Sequence, residues 1–211
     1  MKRILCYGDS NTYGHNPLDC SRLQQRWTTY LKEKLGNNYE IIEEGLCGRT
    51  TVFEDSFTYG LSGKLMLEPI LRTHNPIDLV ILMLGTNDIQ LQFNKTAFDI
   101  SRGIETLIKI IQNPLVYGNY SVPQILLVSP ILVDDSIKTS FFADIFGTDE
   151  AVALSSQLAA QYKRVANLYK THFINAADFA KASPLDGIHM DSKNHKMLAD
   201  ALADKIKNID L

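Results

Sequence analysis

Asp78-Leu79-Val80-Ile81-Leu82-Met83-Leu84 is apolar at every position after its aspartate. A strand with one wet face alternates apolar and polar residues. A strand without polar positions needs cover on both faces, as at the centre of a parallel sheet flanked by helices. Gly85-Thr86-Asn87-Asp88 then ends the run with turn-forming, hydrogen-bonding residues. Ile4-Leu5-Cys6-Tyr7 meets Gly8-Asp9-Ser10-Asn11-Thr12 in the same way, and Gln124-Ile125-Leu126-Leu127-Val128-Ser129 is stopped by Pro130. Tyr39-Glu40-Ile41-Ile42-Glu43-Glu44, closed by Gly45, and His172-Phe173-Ile174-Asn175 bring the strands to five.

Between the strands, apolar residues recur at helical spacing. Residues 22–35 carry Trp27, Tyr30, Leu31 and Leu35 on one stripe, with Gly36 as the stop. Residues 62–72 read as a helix that Pro69 should kink or shorten. Residues 96–111 carry Phe98, Ile100, Ile104, Leu107, Ile108 and Ile111. Residues 149–169 carry Leu154, Leu158, Tyr162, Val165 and Tyr169, and residues 192–209 carry Leu198, Leu202, Ile206 and Ile209. Residues 114–123 read as a loop. Strands alternating with helices predict a doubly wound α/β domain over residues 1–211, with a five-stranded parallel, flavodoxin-like sheet. The expected strand order is 2-1-3-4-5. It reverses the winding between strands 1 and 3, and ligands bind beyond such a reversal. Ser10 follows strand 1 and Asn87 follows strand 3, so both should reach one crevice.

The chain of 211 residues is long enough for one sizeable core. A net charge of −3 without a basic cluster argues against a nucleic-acid partner. Cys6, Cys20 and Cys47 are odd in number and lack metal-ligand spacing, which argues against a disulfide framework or a zinc site. The expected location is therefore the reducing cytoplasm. The apolar run after Met1-Lys2-Arg3 is too short for a signal peptide's roughly 7–15-residue core. No run approaches the roughly 18 apolar residues of a membrane span, so no membrane partner is expected.

Four blocks carry residues suited to acyl chemistry. A serine hydroxyl needs a base to become a nucleophile. Neutral imidazole is available for that at neutral pH, and a carboxylate on the other ring nitrogen fixes its tautomer. In Asp186-Gly187-Ile188-His189 one loop carries both groups. Ser10 is the expected nucleophile, His189 the base and acid, and Asp186 its orienter. The Ser10 and Gly48 N–H groups and the Asn87 carboxamide are expected to hold the developing oxyanion.

Gly8-Asp9-Ser10, Gly48 in Cys47-Gly48-Arg49-Thr50, Gly85-Thr86-Asn87-Asp88 and Asp186-Gly187-Ile188-His189 together resemble the SGNH (GDSL-type) hydrolases. The resemblance spans nearly the whole chain. It implies a three-layer α/β/α fold, catalytic Ser10, His189 and Asp186, and an oxyanion hole of Ser10, Gly48 and Asn87. Asn11 stands where the GDSL signature has leucine, a position read as carrying no chemistry. Gly8-Asp9-Ser10-Asn11-Thr12-Tyr13-Gly14 and Glu44-Gly45-Leu46-Cys47-Gly48-Arg49-Thr50-Thr51 are most similar to small intracellular arylesterase/acyltransferase-type members. That branch implies short-chain ester substrates such as acetylated carbohydrates or aryl esters, acyl transfer to alcohols, homo-oligomers, and no cofactor or metal ion.

Plainer readings stand beside these. Ser10 alone would be an ordinary helix cap. Asp9 and Asp88 read as structural acceptors, His195 as part of a solvated helix face, and His74 and His172 as structural. His15 is placed near the pocket. Arg49 reads as a substrate contact or a surface ion pair, and Cys47 as a small buried filler. The aromatic residues 141–146 read as pocket wall and subunit contact. The competing functions are a lysophospholipase- or thioesterase-type acyl hydrolase, a flavodoxin-like phosphate-binding module, and a non-catalytic interaction protein on a hydrolase fold.

Overall fold

The computed structural model describes residues 1–211. Its strands are β1 Lys2–Gly8, β2 Tyr39–Gly45, β3 Leu79–Met83, β4 Gln124–Ser129 and β5 His172–Asn175. They form one parallel sheet in the expected order, β2-β1-β3-β4-β5. Every residue of β3 is buried. Gly8 pairs with Gly45 on one side and with Met83 on the other. The carboxyl ends of the three strands are therefore level, and the loops carrying Ser10, Gly48 and Asn87 leave from one edge.

Side chains alternate faces along a strand, and both faces here are apolar. Leu5, Tyr7, Val80, Leu82 and Leu127 pack under α3 Gly63–His74, α4 Ala97–Ile111 and α6 Asp149–Tyr169. Ile4, Cys6, Leu79, Ile81 and Leu126 pack under α2 Trp27–Leu35 and α7 Ser192–Lys207. The result is three layers, with a separate hydrophobic core on each face of the sheet. No helix is long and apolar enough to cross a membrane.

Several boundaries differ from expectation, each for a local reason. α2 begins at Trp27, because Arg26 is extended and donates its N–H to Thr29 Oγ1 at 2.9 Å. Arg22 and Arg26 instead pair with Glu43 on the sheet. α3 runs through Pro69 to His74, so the proline does not shorten it. α4 starts behind a reciprocal cap: Thr96 Oγ1 accepts the Asp99 N–H and the Asp99 carboxylate accepts the Thr96 N–H. Phe98 leaves the buried stripe and lies half-exposed under the Arg164 guanidinium. α7 ends at Lys207, with Ile209 buried beyond it. Residues 114–123 include a 3₁₀ turn, Pro114–Val116, and bury Tyr117.

His195 corrects the reading of a solvated face. It is fully buried on α7, and its Nδ1 accepts the Trp27 N–H at 3.3 Å. Burial pushes its pKa down to about 3, so it stays neutral. Its spacing to Leu198 and Leu202 places it on the same buried stripe.

Candidate active site

β1 ends at Gly8, and the chain turns at once into the single-turn helix α1, Ser10–Tyr13. Asp9 is its cap, accepting the Asn11 N–H at 3.0 Å. Ser10 thus heads the helix, where its own N–H has no partner within the protein. The Gly48 N–H is likewise unpaired. Gly48 has φ +81°, a left-handed conformation that favours glycine, and a Cβ there would stand 3.0 Å from Leu61.

Beyond β3, Asn87 opens a 3₁₀ turn and is buried. One Asn87 N–H is held by the Arg49 carbonyl at 3.1 Å, and its carbonyl accepts from Gln90 at 3.3 Å. These contacts fix the amide plane. Asp88 lies beneath, accepting the Thr51 N–H at 3.0 Å and the Thr51 hydroxyl. Asp9 and Asp88 are therefore the structural acceptors expected of them.

The histidine arrives from the loop before α7. Asp186 Oδ1 accepts the N–H groups of Ile188 at 2.9 Å and His189 at 3.0 Å, folding the loop over Gly187. Gly187 has φ +77°, and a Cβ there would stand 2.5 Å from the Ile137 nitrogen. The turn brings His189 Nδ1 to 2.7 Å from Asp186 Oδ2, and Nε2 to 2.9 Å from Ser10 Oγ. All three side chains are buried. Burial raises the Asp186 pKa, but the His189 hydrogen bond and charge and the two backbone N–H groups outweigh it. The carboxyl ends below its ordinary value and stays ionised.

The His189 ring lies between His15, at 4.2 Å between centroids, and the edge of Phe142, at 5.4 Å. Burial and the neighbouring His189 charge lower the His15 pKa. His15, Asp186 and His189 also present ligand atoms within 4.8 Å of one another. Asp186 and His189 use theirs on each other and on Ser10.

A cavity of about 200 Å³ opens over Ser10 Oγ. Gly48, Asn87 and Gln90 form a polar wall, and Phe142, Ile145, Phe146 and Ile188 an apolar one. This is smaller than the roughly 300–1,000 Å³ of sites for drug-sized ligands.

Every expected site residue converges here, but their neighbours require correction. Arg49 is not a surface ion pair, and it does not line the cavity. It is buried, donates to the Gly8 carbonyl at 3.0 Å and to the Glu44 carbonyl, and stacks on Tyr7. Cys47 is exposed at the cavity, not buried filler. Phe142 and Phe146 form cavity wall, whereas Phe141 is exposed. Gln90 was missed, although a residue three beyond Asn87 on a tight turn is placed to meet it. Asn11, read as carrying no chemistry, is buried and bonded to both neighbours of His189.

A Ser–His–Asp chain at the carboxyl edge of an α/β sheet, over a small half-apolar cavity, has the makings of a hydrolase. The description of the GDSL-like lipase/acylhydrolase family fits residues 6–197. The chain belongs to that family, and its class is carboxylic ester hydrolase. It is similar to the aryl esterase of M. smegmatis, at 36% identity and a TM-score of 0.93 over 98% of this chain and 99% of that one. A carbohydrate acetylesterase from Sinorhizobium meliloti matches at 35% identity and a TM-score of 0.92, with the same coverage. An acetylxylan esterase from Xylanibacter ruminicola is 27% identical over 222 aligned positions. These cover 97% of this chain but only 43% of that longer protein.

Proposed function

We propose that this protein hydrolyses short-chain carboxylic esters, acetyl esters of carbohydrates or aryl alcohols foremost, through an acyl-enzyme on Ser10. The observation that carries the reading is the hydrogen-bonded run from Asp186 through His189 to Ser10, at 2.7 and 2.9 Å, opening onto a small cavity. His189 Nε2 takes the Ser10 proton as Oγ attacks the ester carbonyl, and ionised Asp186 stabilises the imidazolium. The Ser10 and Gly48 N–H groups and the free N–H of Asn87 receive the oxyanion. His189 returns the proton to the leaving alcohol, and water then cleaves the acyl-enzyme by the same route reversed. An alcohol in place of that water gives acyl transfer.

The cavity supports a short acyl group, because Phe142 and Phe146 stand across its apolar side. The relatives named for aryl and carbohydrate acetyl esters point to the same substrates. The test is a nitrophenyl ester series from acetate to decanoate, with wild type and Ser10→Ala. Expected are a steep preference for acetate and loss of turnover in the variant, by about 10⁴-fold or more. Equal rates for long chains would favour a lysophospholipase- or thioesterase-like pocket, and activity retained in Ser10→Ala would overturn the nucleophile.

A further inference from the structure

The two halves of the site come from opposite ends of the chain, and one buried side chain joins them. Asn11 follows Ser10 directly and is 3% exposed. Its Nδ2 donates to the Ile188 carbonyl at 3.2 Å, and its Oδ1 accepts the Met190 N–H at 3.0 Å. Those are the residues on either side of His189. The amide orientation is fixed by its partners, since a carbonyl requires a donor and an N–H an acceptor. On its own side Asn11 is held through its backbone N–H, which donates to Asp9.

We propose that Asn11 is a positioning residue for His189, setting the distance between its Nε2 and Ser10 Oγ. This rests on the reading of His189 as the base. The His15 ring packs on His189 from the serine side without a hydrogen bond, and the hydrogen bonds that His189 makes within its own loop do not duplicate the function. Its Nδ1 and its N–H are held by Asp186, within its own loop, and its carbonyl by the Ser183 N–H, six residues before it. They shape the loop but do not register it against the serine. The Asn11 carboxamide does so through two bonds that bracket the histidine. Leucine, which the family signature places here, offers neither bond. Aspartate retains the acceptor for Met190 but sets an oxygen against the Ile188 carbonyl.

The lesion in a variant is therefore specific. The Asp186–His189 pair lies within one loop and survives, while the Ser10–His189 junction loosens. Misplacement of reacting groups by about 1 Å can cost on the order of 100-fold in rate. Asn11→Leu and Asn11→Asp should lower kcat about 10- to 100-fold with KM within about twofold. Covalent labelling of Ser10 by a fluorophosphonate should slow in parallel. The low-field proton resonance of the His189–Asp186 hydrogen bond should persist. Labelling at the wild-type rate in either folded variant would overturn the proposal. So would loss of that resonance together with activity, which marks a general collapse. If Asn11→Leu does not fold, the nearly isosteric Asn11→Asp decides, and failure of both to fold makes Asn11 a structural anchor and also overturns it. Wild type that does not label at Ser10 would instead remove the catalytic reading itself.

Discussion

Asp88 is a carboxyl with no exposure to water, and burial pushes its pKa up to about 7 against the pull of the Thr51 hydroxyl and N–H. An unfolded aspartate titrates near 3.9. Between about pH 4 and 7 the folded protein therefore holds a proton that the unfolded chain has lost, and stability falls as pH rises through that window. Asp9, raised to about 6 by burial, acts with the same sign. Asp186, held below its ordinary value, acts with the opposite sign and loses its contribution only as pH falls below about 4. Asp88→Asn should remove one group from the first set. The difference in Tm, variant minus wild type, should rise from pH 4 to pH 7.5 whatever its starting offset; a flat difference would show that Asp88 ionises normally in the folded state. Ser10 and Asn87 were legible in the sequence because each lies in a short polar block directly after an apolar one, and Asp186 and His189 because one four-residue block carries both. Asn11 was not, because its partners lie 177 and 179 positions away.

Elements shape the cavity as much as single residues do. The short helix α5, Ala143–Phe146, and the Phe142 before it place aromatic rings in the wall of the cavity that Ser10 shares, with Phe142 5.4 Å from the His189 ring. Phe142→Ala should lengthen the slot. Relative to acetate, kcat/KM for butyrate and hexanoate esters should rise about 10-fold or more, since each methylene that gains room is worth roughly 1–3 kcal/mol. An unchanged profile would place the acyl group elsewhere. The larger helices were legible from their stripes, and α6 matches its predicted bounds, Asp149–Tyr169. The first helix was overextended because the apolar pattern says nothing about the Arg26 backbone or its Thr29 partner. The surface ion pair expected of Arg49 was a misreading, because a guanidinium that donates to backbone carbonyls leaves no partner residue visible in the sequence.

For the whole molecule, two cores back one sheet, and the site rests on both. α7 follows the His189 loop and packs on α2 and the sheet through Leu198, Leu202 and Ile206. Leu202 is completely buried. Leu202→Ala should cost about 2–5 kcal/mol, a large share of the roughly 5–15 kcal/mol of a typical domain. Denaturant unfolding measures the loss, and kcat per folded molecule at low temperature should stay within about twofold. A large fall in kcat without loss of stability would show that α7 acts on the site directly. The sheet order was legible from the alternation of elements, whereas the burial of His195 required reading its stripe rather than its acidic neighbour. The hydrogen bond between Ser10 and His189 spans 179 positions. During synthesis the serine precedes its histidine by 179 positions, so the two side chains can meet only after all the chain between them has been made. Their hydrogen bond comes into being only as the fold closes.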